Sequence, residues 1–165
     1  MRRRAHWPVL VSALFALSGC ASMPTSLNVR TVDAALEPLA IVHRPAAFIG
    51  REVRWGGIII AVNNRPRSTR IEILAYPLDR IGHPEVNGMP FGRFFAEVPG
   101  YVEPMIYRRG RAVTVVGRVR GVIHGRIGRA PYVFPDISGQ VLHLWPRQRP
   151  SGSHFGVGIG IGVGA

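Results

Sequence analysis

Residues 50–62, GREVRWGGIIIAV, place two adjacent glycines in the middle of a run rich in β-branched residues. Val, Ile and Trp favour a pleated strand, whereas glycines inside a strand mark a bulge or a sharp coil where another backbone comes close. The stretch therefore predicts a long, bent first strand of the kind that closes a barrel. Asn63-Asn64-Arg65-Pro66 supplies a turn, and Thr69 to Tyr76 alternates well enough to return as the second strand, with Ile71, Ile73 and Ala75 pointing inward.

Further along, Gly82 to Pro90 reads as a loop and Gly92 to Val98 as a third strand. Tyr101 to Arg109 contains Pro104 and reads as a connector. Arg111 to Gly121 is the clearest strand, with Val113, Val115 and Val119 on one face and Arg118 and Arg120 on the other. Val122 to Ile127 is expected as a short return strand, and Val133-Phe134 with Val141 to Trp145 supplies the last pairings. The fold class is all-β: a small antiparallel barrel, OB-fold-like, over residues 41–147, with a two-sheet β-sandwich as the alternative.

Ahead of the barrel, residues 1–20 read MRRRAHWPVLVSALFALSGC, with three arginines, an apolar run from Val9 to Leu17, then small residues. The run is short of the ~20 apolar residues of a spanning helix and matches a secretory signal. Leu17-Ser18-Gly19-Cys20 matches the bacterial lipobox, with residues 1–19 as the lipoprotein signal peptide and cleavage between Gly19 and Cys20. There the thiol takes a diacylglyceryl group as a thioether, and the freed amine gains a further acyl chain. Cys20 is the chain's only cysteine, so the covalent lipid is its use and no disulfide is expected. Ala21, where inner-membrane lipoproteins tend to carry Asp, favours the outer membrane, facing the periplasm, as the expected location.

Residues 20–40 read as a lipidated tether with about one turn of helix. As a flexible coil of that length they would hold the domain roughly 25 Å from its anchor. Residues 148–165 end in GVGIGIGVGA and read as a Gly-rich tail, loosely associated or adding to a sheet edge.

The chain carries 21 basic residues, all arginine, against 9 acidic ones, for a formal charge of +12. That balance suits acidic polymers or anionic head groups. No basic block exceeds the opening triplet and aromatics do not interleave with arginines, so nucleic acid is a poor fit.

Taken in order, several stretches resemble the Slp family of outer-membrane lipoproteins, the starvation-inducible type. They are Phe48-Ile49-Gly50, Val53-Arg54-Trp55-Gly56-Gly57-Ile58, Thr69-Arg70-Ile71-Glu72-Ile73, Tyr76-Pro77-Leu78-Asp79, Gly92-Arg93-Phe94, Val113-Thr114-Val115-Val116-Gly117 and His143-Leu144-Trp145. The resemblance implies lipidation and location, not a molecular activity.

No catalytic constellation emerges. His43, His83, His124, His143 and His154 lack metal-ligand spacing, and no Gly-x-Ser-x-Gly elbow occurs. Glu72 and Asp79 are the best-placed carboxylates, and Glu72 is expected to pair with strand arginines such as Arg70. Ser138 is read as adjacent to Asp136 through turn chemistry. Arg118 and Arg120 offer a contact for an anionic head group or a glycan carboxylate; the competing reading is a solvated face balanced by Glu97 or Glu103. The chain is expected to be a noncatalytic envelope protein with no cofactor beyond its lipid, supporting the membrane or binding an envelope partner. The alternative is a carrier of a small apolar or anionic ligand.

Overall fold

A computed structural model describes residues 22–33 and 35–147; the signal, Cys20 and the Gly-rich tail lie outside the described residues. Five strands form a closed barrel in the order β1-β2-β3-β5-β4, with β1 at Glu52–Asn64, β2 at Ser68–Tyr76, β3 at Arg93–Pro99, β4 at Ala112–Ile127 and β5 at Ala130–Leu144. The expected OB-fold-like barrel is therefore the architecture, rather than a sandwich. It is antiparallel at every junction except β3 with β5, where Phe95, Ala96 and Glu97 run parallel to Asp136, Ile137 and Ser138.

The glycine pair does what its position in β1 predicts. Residues Glu52 to Ile58 pair with β4, and Gly56 to Asn64 pair with β2, so the strand passes from one neighbour to the other across Gly56-Gly57. A Cβ on Gly57 would lie 1.8 Å from the Leu74 carbonyl oxygen, which shows how closely β2 crosses there. Ile71, Ile73 and Ala75 face inward as expected. They meet Val53, Trp55, Ile59, Phe94, Val113, Val115, Val119 and Ile137 in one core that fills the barrel interior.

Two expectations about β4 and β5 are corrected. Gly121 does not end a strand: with φ of 132° it absorbs a register shift between Val119 and Gly121, so Arg120 becomes the extra residue of a bulge. The chain then runs on to Ile127 and turns at Gly128, leaving one long hairpin in place of the short return strand. Asp136 and Ser138 accordingly lie inside β5, not in a turn.

The expected free tether is also corrected. Residues 25–27 form a single 3-10 turn whose Leu27 is fully buried against Val116 and Trp145, with Met23, Val29, Val32 and Ile81 around it. The Arg54 guanidinium donates to the Leu27 carbonyl at 3.1 Å and reaches the Met23 sulfur at 3.4 Å. Further on, the Asp33 amide donates to the Glu52 carbonyl, Thr31 donates to the Glu52 carboxylate, and Arg51 pairs with Asp33 at 2.6 Å. Helix α1 (Pro38–His43) then packs on β4 and β5. Ile41 and Leu36, the latter with its carbonyl accepting from the Trp55 indole at 2.6 Å, join the barrel core. Burying Leu27 and Ile41 contributes about 1.5–3 kcal/mol per side chain towards offsetting the chain entropy a free coil would keep, and the hydrogen bonds and ion pair along the segment add to it.

Candidate functional site

Gly19 and Cys20 lie outside the described residues, but the chain that follows them is held fast to the barrel from Met23 onward. The two arginines singled out on β4 do not form a shared anion cradle. Arg118 is exposed and reaches Glu52 only at 3.9 Å. Arg120, pushed out by the bulge, donates twice to Asp136, from Nε at 2.9 Å and Nη2 at 2.6 Å, and again from Nη2 to Glu97 at 3.0 Å.

Glu97 is the hub of this cluster. Its carboxylate accepts from the Ser68 hydroxyl at 2.7 Å and from Arg70 at 3.1 Å as well as from Arg120, with Arg65 at 3.6 Å. The Ser68 hydrogen bond, helped by Arg120 and Arg70 and opposed by partial burial, pulls the Glu97 carboxyl down to about 2. Burial pushes the Asp136 carboxyl the other way, above its ordinary value, although Arg120 opposes it. The Arg70 guanidinium also lies 5.1 Å over the Phe95 ring, and Phe95 stacks on Phe134 at 4.5 Å. These groups straddle β3 and β5, where the ladder is only three residues long. The cluster fastens the barrel at its shortest junction.

Two outcomes follow from this geometry. Arg120→Met should cost about 3–5 kcal/mol in urea unfolding, because it strands the buried Asp136 charge, whereas Arg118→Met should cost no more than about 1 kcal/mol. Pairing Arg120→Met with Asp136→Leu should recover most of the loss. Acid should also act through Glu97: its folded carboxyl titrates below the unfolded value of 4.5, so its contribution is present above that pH and is lost as pH falls towards about 2. Asp136 works with the opposite sign, being easier to protonate when folded. Glu97→Gln should therefore flatten the fall in stability over that interval.

A groove of about 270 Å³ opens between β1, the end of β2 and the segment leading into α1, with Leu36, Pro38, Arg54, Trp55, Tyr76 and Asp79 among its walls. Of its two acids, Glu37 and Asp79, the second is engaged in shaping the loop, because Asp79 Oδ1 accepts from the Ile81 and His83 amides. Glu72 pairs with Arg93 at 2.7 Å rather than with Arg70. Among the described residues no group of three His, Cys, Asp or Glu side chains is placed to hold a metal ion.

The family model described as "Outer membrane lipoprotein Slp family" matches residues 17–158. The chain belongs to the Slp family. Among similar proteins, the uncharacterized lipoprotein YeaY of Escherichia coli K12 is 36% identical over 118 residues, covering 72% of this chain and 61% of that protein. The chain thus spans under two thirds of that relative. The outer membrane protein Slp of the same strain is 30% identical over 138 residues, 83% of this chain and 73% of that protein. An uncharacterized protein of Haemophilus influenzae is 29% identical over 134 residues, covering 79% and 71%. No solved structure gave a match.

Two of the Slp-like motifs meet in space. Trp145 donates from its indole to the Thr114 hydroxyl at 2.9 Å, and that hydroxyl donates to the Gly82 carbonyl at 2.7 Å. His83 and His143 lie edge-on to Trp145 at 5.0 and 4.4 Å. The sequence spacing separates these two histidines; the loop after β2 folds His83 over β4 and brings it to Trp145. The arrangement latches the loop and the end of β5 over the outer face of β4, beside the pocket that receives Leu27.

Proposed function

We propose that the mature protein begins at Cys20, carries a diacylglyceryl thioether and an amide-linked acyl chain there, and stands on the periplasmic face of the outer membrane as a noncatalytic support or partner-binding module. The observation that carries this reading is that the family match starts at Leu17, inside the signal sequence, and so takes in Leu17-Ser18-Gly19-Cys20. The carboxylates and arginines of the barrel support it, since the best-placed of them are engaged with one another in fastening strands. A small-ligand carrier would be confined to the surface groove, because side chains occupy the barrel interior. Growing cells on labelled palmitate tests the proposal: the polypeptide should take up label that survives denaturing gels, and an unlabelled polypeptide would overturn it.

A further inference from the structure

We infer that residues 22–33 form a strap that holds one flank of the barrel directly against the bilayer surface, an inference that rests on lipidation of Cys20. The strap is bound along its length. Met23 lies against Gly82 and Arg54, Leu27 is buried on Val116 and Trp145, and Asp33 is tied to the start of β1 through the Glu52 carbonyl and Arg51. Only three peptide steps separate Met23 from Cys20. Even fully extended, a chain spans at most about 3.6 Å per residue, so Met23 lies within about 11 Å of the lipid-bearing residue. The glyceride on Cys20 fixes that residue at the head-group layer, which is itself only several Å thick. The flank formed by the strap and the loop containing Arg80 and Gly82 then faces lipid, and its occupant is the membrane that carries the anchor. By contrast, the β4–β5 hairpin tip at Arg129 lies at the far end of β4 from Val116, the strand residue on which Leu27 packs.

The test uses the lipidated protein, extracted from membranes and reconstituted into phosphatidylethanolamine and phosphatidylglycerol vesicles containing a head-group quencher. With Cys20 acylated, Arg80→Cys or Arg129→Cys introduces the only free thiol, which is labelled with a fluorophore. Quenching at position 80 should exceed that at 129 at least threefold. Inserting a 20-residue Gly-Ser linker between Ala21 and Ser22, ahead of the folded strap, should bring the two positions towards parity. Equal quenching without the linker, or a difference that the linker leaves unchanged, would overturn the strap while leaving the lipid anchor intact. Failure of the protein to stay on the vesicles would overturn both.

Discussion

Gly57→Ala should leave little native barrel at ambient temperature, with a loss of more than about 4 kcal/mol in urea unfolding or no cooperative transition at all. An alanine Cβ at this position would sit 1.8 Å from the Leu74 oxygen, 2.7 Å from its carbonyl carbon and 3.0 Å from the Ala75 Cα. All three are backbone atoms, so no side-chain rotation relieves the contact. β2 would have to retreat from β1 just where β1 is handed from β4 to β2, and both ladders would lose register. Gly100→Ala is the matched control. Gly100 has φ of 75° with nothing within 4 Å of its missing Cβ, so alanine there meets only left-handed strain of about 1–2 kcal/mol. Similar losses for the two variants would contradict the close crossing.

Cys20→Ser should deplete the protein from the outer-membrane fraction by more than about tenfold, and the polypeptide that remains should retain its arginine-led start. Serine matches cysteine in size, but its hydroxyl lacks the thiolate character that makes the sulfur the nucleophile for diacylglyceryl transfer. Without that first modification the following cleavage has no substrate. Each acyl chain contributes about 0.8 kcal/mol per buried methylene; one chain anchors only marginally, and two or three hold a protein effectively without release. The strap has too little exposed apolar surface of its own to replace them, since Leu27 is spent on the barrel. Fractionation over a density gradient reads the result, and an undiminished outer-membrane band would contradict it.

The barrel was legible because its evidence is local. The Gly56-Gly57 pair within a β-branched run reports a crossing of backbones, and the alternation around Ile71 and Val113 reports which face is buried. Gly121 was misread for a related reason. A glycine with positive φ serves a turn and a bulge equally well, and only the pairing of Val119 with Ile137 and Gly121 with Asp136 tells them apart. The strap left almost no trace in the sequence, because Leu27 is a lone anchor among Pro24, Thr25, Ser26 and Asn28 and no periodicity surrounds it.

The charge cluster was half legible. The reading of an Arg118 and Arg120 face balanced by Glu97 or Glu103 holds for Arg120 with Glu97, whereas Glu103 instead accepts from the Tyr101 hydroxyl and the Met105 amide. Asp136 was missed as the main partner of Arg120 because their contact depends on the bulge, a feature of register and not of spacing. The histidines beside Trp145 were likewise separated in sequence and joined only by the loop after β2.

A glyceride-bearing Cys20 is tested most directly by the intact mass of the protein extracted from outer membranes. The predicted species is residues 20–165 plus glyceryl and fatty acyl groups, with an N-terminal peptide that carries the whole of that added mass. Recovery of unmodified residues 1–165, or of a shortened chain with no added lipid, would contradict it.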